Sequence, residues 1–439
     1  MKTKTNERQW HRLDNAGKLY PSIVSPRVST VLRLSATLNM DVDPEILQRT
    51  LEITLPKFRH FQVRLRKGLF WYYFEEVTTV PKVQKETYYP CMYLDFRKKD
   101  ILPFRVIYYR KRISFEVSHS LTDGYGAVVF MQSLLLNYLH LTGNLDESTD
   151  LDMFSEYTDT EEVYEDAFHK YYNDKVREPR KPSKAYHLPF NLNAKGEYFI
   201  ITGIVPADDL YKLAKSYNTS VTKFLLAVYF ETFLDFLKTT GSETNRRNLP
   251  VTMNMPVNLR TLFPSKTLKN FFVSLTPSID TSLGDYSFDE ILKYIEHYFG
   301  MRLNTKYIQK FISRNVANEK KWKVRLLPLP IKNLAIPFIY SRFGETNYTS
   351  SLSNLGVIKM PEEIRKHVDQ MDIYPPPSVG NLIKITMLSY NNKTCISFGS
   401  LTPNREIEKL FFRKLRKMNL HVKIETNTKL KPSNEKEGK

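Results

Sequence analysis

The sequence predicts an α+β chain, an α/β sandwich of two sheet-and-helix units, and three observations lead there. Strand-like segments in the first half are joined mostly as hairpins with helical patterns between them, which favours mixed or antiparallel sheets carrying helices on one face. At 439 residues the chain is long for a single hydrophobic core. Near its middle, Arg177-Glu178-Pro179-Arg180-Lys181-Pro182-Ser183-Lys184 has two prolines, a run of charges and no apolar period, the character of an interdomain linker. The expected organisation is a first unit over 1–176, a linker over 177–190, a second unit over 191–425 and a flexible polar tail over 426–439.

Taken in order, residues 28–38 alternate as a strand. Asp43-Pro44-Glu45 then supplies an N-cap, a proline at the first helical position and an acidic first turn. Ile46, Leu47, Thr50, Leu51, Thr54, Leu55 and Phe58 give that helix its buried stripe. Residues 62–66 and 69–75 flank Lys67-Gly68 as a tight hairpin, and 104–109 with 113–118 form a second one around Arg110-Lys111-Arg112. A helix begins near Gly124, with Val128, Val129, Met131, Leu134, Leu135, Tyr138 and Leu139 on a broad apolar face. In the second unit, 197–205 reads as a strand, 207–217 as a short helix, and Ser220 caps a long apolar helix to Leu237. Residues 248–258 are a strand, 288–315 mainly helical, 382–389 and 394–398 a hairpin, and 404–418 a basic helix.

Hydrophobic residues make up 41% of the chain and aromatics 13%, enough for a large packed interior. No stretch approaches the roughly 20 apolar residues that span a bilayer. Met1-Lys2-Thr3-Lys4-Thr5-Asn6-Glu7 is polar with no apolar segment behind it, so no secretory signal is expected. Cys91 and Cys395 are far apart and lack metal-ligand spacing, which disfavours a disulfide framework or a zinc site and fits a reducing cytoplasm. The net charge of +18 comes from clusters scattered over the whole length, among them Arg97-Lys98-Lys99, Arg110-Lys111-Arg112, 320–325 and 413–417. Nothing resembles a recognition helix, a zinc finger or an aromatic RNA platform, so nucleic acid is not the expected partner. A solvated basic surface, a polyanionic co-substrate or an acidic membrane surface accounts for the charge.

The chemistry concentrates at Ser118-His119-Ser120-Leu121-Thr122-Asp123-Gly124, a His-x-x-x-Asp-Gly element between a strand and a helix. A histidine at a strand end can hold one ring nitrogen toward a cavity, as a general base needs. Asp123 stands at an N-cap position, and Gly124 can turn where a Cβ would clash. On residues alone, His119 also reads as an ordinary strand-end histidine, Arg260 as a surface arginine, and Ser353 and Asn354 as turn residues. Trp71 and the tyrosines beside it read as core. The lone serines have no nucleophile-elbow context, so a covalent acyl-enzyme is not indicated.

Taken with four further segments, this element resembles the coenzyme A-dependent acyltransferase superfamily of chloramphenicol acetyltransferase and peptide-synthetase condensation domains, and most of all its alcohol acetyltransferase-like branch. Ser118 stands where the family pattern His-His-x-x-x-Asp-Gly has its first histidine, and His119 holds the catalytic position. Leu13-Asp14-Asn15-Ala16 with Tyr20-Pro21 resembles the family's opening segment, and Leu69-Phe70-Trp71-Tyr72-Tyr73 resembles the strand that follows its first hairpin. Pro256-Val257-Asn258-Leu259-Arg260 followed by Asn270-Phe271-Phe272 is similar to its proline–asparagine–arginine strand end. Ser353-Asn354-Leu355-Gly356 followed by Pro361 looks like its crossover strand.

The resemblance implies two similar subdomains, each a mixed, mostly antiparallel sheet with helices, and a channel between them centred on the histidine. It implies acyl-coenzyme A, acetyl-coenzyme A in the first instance, as co-substrate without a metal, and a small alcohol or amine as acceptor. His119 would be the general base. Asp123 would brace the turn by pairing with Arg260, Gly124 would supply the turn, and Ser353 or Asn354 would serve the oxyanion or the channel. Two other readings stand beside it: an acyltransferase or condensation-type enzyme fed by an acyl carrier protein, and a non-catalytic relative using a basic face on a membrane or anionic partner.

Overall fold

The computed structural model describes residues 10–98, 101–157, 160–176, 179, 183–240, 248–341 and 345–428. The polar start, part of the expected linker (177, 178 and 180–182) and the tail from 429 onward lie outside the described residues.

The first sheet runs Val368–Tyr374, Val31–Leu38, Arg112–Ser118, Phe104–Tyr109, Gln84–Lys85, antiparallel except for its last pair. The second runs Phe272–Leu275, Val251–Asn258, Ser350–Val357, Ile383–Tyr390, Lys393–Ser400, Phe199–Pro206, Lys423–Thr426. It is antiparallel except that Ser350–Val357 lies parallel to both neighbours. A small third sheet joins Trp10–Arg12 to the hairpin Val63–Lys67 and Tyr72–Glu76. Both large sheets are mixed, and each carries helices, as the pattern of hairpins and helices leads one to expect.

Local chemistry places most elements where the sequence puts them. Asp43 accepts from the amides of Glu45 and Ile46 and starts Pro44–Thr54. Asp123 accepts from those of Tyr125 and Gly126 and starts Gly124–Leu141. Ser287 and Glu290 form a reciprocal capping box at Phe288–Arg302. The turn between Ile383–Tyr390 and Lys393–Ser400 is Asn391-Asn392, both in the left-handed region that asparagine tolerates. One expectation needs correction, and another, the mainly helical segment 288–315, holds with a break. The first hairpin does not turn tightly at Lys67-Gly68, because the Gly68 amide donates to the Trp71 carbonyl across a wider loop and the outgoing strand begins at Tyr72. The segment 288–315 is two helices, Phe288–Arg302 and Thr305–Lys320, since Asn304 caps a new start by accepting from the Tyr307 amide.

The crossover also differs from expectation. Ser353-Asn354-Leu355-Gly356 stays within the second sheet, in the strand Ser350–Val357, where Ser353 and Asn354 pair with Ile383–Tyr390 while the pairing with Val251–Asn258 ends at Ser351. The strand that enters the first sheet is Val368–Tyr374, antiparallel to Val31–Leu38 with Met371 opposite Ala36. Its apolar positions Val368, Met371 and Ile373 complete the core of the first half, beside Phe58, Phe61, Phe115 and Phe130. The two halves are thus stitched by backbone hydrogen bonds as well as by side chains.

Candidate active site at the seam of the two sheets

Arg112–Ser118 ends where the chain must leave the sheet, and the hydroxyl of Ser118 shapes that exit. Ser118 is fully buried; its Oγ shares hydrogen bonds with Thr30 Oγ1 and Ser120 Oγ, each 2.9 Å, and accepts from the Ser120 amide at 3.1 Å. The next amide, that of His119, donates to the Thr30 carbonyl at 2.8 Å. The strand end is therefore tied down on both sides of His119, and the imidazole projects into a cavity of about 790 Å³.

The ring's tautomer follows from its neighbour. Asn270 donates through Nδ2 to the His119 carbonyl at 2.7 Å and to Asp14 Oδ2 at 3.0 Å. Those two acceptors fix the amide, so its Oδ1 faces His119 Nδ1 as an acceptor at 3.4 Å. Nδ1 then carries the proton, and Nε2 is the nitrogen with a free lone pair. Tyr20 stacks on the ring at 5.5 Å between centroids, and Phe272 lies at 6.0 Å on another side. Burial pushes the His119 pKa below its ordinary value, against the opposing field of Asp123 and the hydrogen bond that Nδ1–H donates to Asn270 Oδ1. Behind Asn270, burial raises the Asp14 carboxyl to about 6.

Asp123 faces the other way. Its Oδ2 accepts from Arg260 Nη1 at 2.8 Å and from the Phe271 amide at 3.0 Å, while Oδ1 caps the helix. Both side chains are nearly buried, at 8% and 7% exposure, so Arg260 is no surface residue. The guanidinium also donates to the carbonyls of Thr267 and Lys269 and lies 4.4 Å from the Tyr125 ring centroid. One carboxylate thus ties the helix that follows His119 to the strand end of the other half.

Gly124 acts differently from expectation. Its φ is not left-handed; instead a Cβ there would stand 2.5 Å from Leu355 Cδ2. The glycine makes room for Ser350–Val357, which bulges between Asn354 and Val357 with Gly356 at φ 80°. Ser353 and Asn354 are strand residues rather than turn residues, and both line the cavity. Asn354 is occupied, donating to Thr222 Oγ1 at 2.8 Å and accepting from the Gly356 amide at 2.7 Å. Among the described residues the Ser353 hydroxyl has no protein partner.

The cavity draws walls from both halves: Tyr20, His119 and Tyr125 from the first, Phe272, Ser353 and Lys384 from the second. No protein-family model matches the sequence, and neither does any curated protein sequence. Solved structures do match over nearly the whole chain. TRI3 trichothecene 15-O-acetyltransferase from Fusarium sporotrichioides is similar with a TM-score of 0.61 at 12% identity, covering 94% of this chain and 95% of that one. The first condensation domain of the CDA synthetase gives 0.56 at 12% identity, over 94% and 95%. Polyketide synthase associated protein 5 from Mycobacterium tuberculosis gives 0.54 at 11%, over 92% and 96%.

The chain has the chloramphenicol acetyltransferase-like, condensation-domain fold. Within that fold the His-x-x-x-Asp-Gly element lies at the seam of the two lobes, and the residues named from sequence converge there. Asn270, Asp14 and Tyr20 complete the setting of His119. The sequence singles out all three segments, yet assigns these residues no part, because the nearest of them in sequence, Tyr20, is still 99 positions from the ring it contacts. Among the described residues, no group of His, Cys, Asp and Glu is arranged to hold a metal.

Proposed function

We propose that the protein transfers an acyl group, acetyl in the first instance, from a coenzyme A thioester to an alcohol or amine. One observation carries this reading: an imidazole with its proton on Nδ1 and its Nε2 lone pair available, in a cavity walled by both lobes. Nε2 takes the acceptor's O–H or N–H proton as the acceptor attacks the thioester carbonyl. The tetrahedral intermediate then collapses by breaking its C–S bond, and the departing thiolate receives the proton back from Nε2. Asp123 and Arg260 hold the turn. The unpartnered Ser353 hydroxyl suits the oxyanion better than the occupied amide of Asn354.

A polyanionic donor fits the cations that line the cavity. Lys384, half-buried and pushed down to about 8 by desolvation, and Lys359 would receive it. Incubation with labelled acetyl-coenzyme A and a panel of small alcohols and amines tests the reading. Labelled ester or amide should form with the native chain and fall away in His119→Ala. Transfer that occurs only from a carrier-protein thioester would move the donor to the second class of enzyme, and the absence of transfer from either donor would remove the reading.

A further inference from the structure

We propose that the face built from Leu69 and residues 322–339 docks on an anionic phospholipid surface. The helix Leu329–Ile339 presents its apolar side outward. Its one cation, Lys332, is buried, donating to the Phe70 carbonyl at 2.8 Å with its ammonium 3.6 Å from the Trp71 ring centroid. Meanwhile Ile331, Leu334, Phe338 and Ile339 are 49, 81, 68 and 52% exposed. The spacing of 331, 334 and 338 puts three of them on one side of the helix. The short helix Trp322–Leu326 adds Trp322 and Leu326 at 68 and 60%, and Leu69, 72% exposed, is held alongside by the Leu329 amide donating to its carbonyl. Contiguous exposure of this kind marks an association surface.

Charge selects the occupant. Lys320, Lys321, Lys323 and Arg325 border the apolar residues, and among the described residues none of the four is ion-paired. A second copy of this chain would bring two such cationic borders together, and a protein interface depletes lysine near its core. An anionic bilayer instead neutralises the border while the interfacial region accepts tryptophan and aliphatic side chains. Beside this face lies a groove of about 760 Å³ in which Trp10, Trp71 and Trp322, the three tryptophans of the chain, stand with Arg12 and Arg325, and in which the Glu319 carboxylate is paired with Lys18. Such a groove suits a phosphate headgroup and the upper part of its acyl chains. The helix continues into Tyr340, which lines the cavity holding His119, so the docked face and that cavity share one element.

Sedimentation with large unilamellar vesicles tests this. The full chain should pellet with mixed phosphatidylcholine–phosphatidylglycerol vesicles, and bind at least about tenfold more weakly to pure phosphatidylcholine or at about 0.5 M salt. The double variant Leu334→Asp, Phe338→Asp should lose about tenfold or more in vesicle affinity while keeping its melting temperature and its turnover of soluble substrates. Reversing Lys320, Lys321, Lys323 and Arg325 to Glu should abolish the preference for the anionic lipid. Failure of the native chain to pellet with anionic vesicles, or binding untouched by the double variant, would overturn the proposal. So would a dimer that the double variant dissolves without any vesicle binding, which would assign the face to a second copy. Vesicle binding and soluble turnover are read separately, so either result stands without the other.

Discussion

Two cavities of nearly equal volume, about 790 and 760 Å³, sit in this molecule, and they are built on opposite principles. The one holding His119 lies where two sheets end against each other. Its polar groups are held by hydrogen-bond partners packed against them: His119 by Asn270 and the Thr30 carbonyl, Asp123 by Arg260 and the Phe271 amide. The one walled by the tryptophans lies at the surface, with Trp10, Trp322 and Leu326 open to solvent. Each construction suits a different task. A preorganised polar group kept from bulk water can move a proton at a chosen atom, whereas exposed apolar groups gain by being covered.

Substitutions in the enclosed cavity test that contrast directly. The largest effect is expected from His119→Ala, which should cut kcat by about 10²–10⁴-fold with an unchanged circular dichroism spectrum; a full rate would remove His119 from the chemistry. Asp123→Ala strands the buried Arg260 charge, and chemical denaturation should register a loss of about 3 kcal/mol together with a slower rate. Equal stability would mean that the Thr267 and Lys269 carbonyls satisfy the guanidinium alone.

Smaller changes probe finer points. Ser353→Ala should lower kcat by about tenfold to a hundredfold with little change in KM if its hydroxyl meets the oxyanion. The pH profile of kcat/KM supplies a signed test. Burial lowers the His119 pKa, so the neutral base persists below the ordinary histidine value and the acid limb should fall below about 6.5. Asn270 opposes that shift by hydrogen bonding. Asn270→Ala should therefore move the limb to still lower pH and slow the plateau by lost positioning, a combination that simple destabilisation would not produce. The surface groove should answer none of these changes.

How much was legible in the chain beforehand varies with the range of the interaction. The caps at Asp43 and Asp123, the paired asparagines at 391 and 392 and the period of 124–141 act within a turn or two of backbone, and the elements fall within a few residues of where those signals put them. Val368–Tyr374 escaped notice because its identity as a strand is set by a partner some 330 positions away, Val31–Leu38. The helix 329–339 likewise carries no sign in its own residues of which apolar side chains will be left uncovered, since that is settled only when its neighbours are placed. Trp71, read as core, stands partly exposed in the surface groove for that reason.

By itself, the order of residues determined the alternation of strands and helices, the His-x-x-x-Asp-Gly turn, and the likeness that points to two lobes. The first two follow from short-range sterics, capping and periodicity, which a linear string carries in full, and the third from the resemblance of its motifs, in their order, to a known family. Tertiary structure alone decided which amide orients the imidazole, which hydroxyl is left unpartnered beside it, and which apolar residues remain uncovered. Each of these depends on groups brought together across 100 residues or more by the packing of two sheets, and hydrogen-bond satisfaction and burial are properties of that packing rather than of any segment.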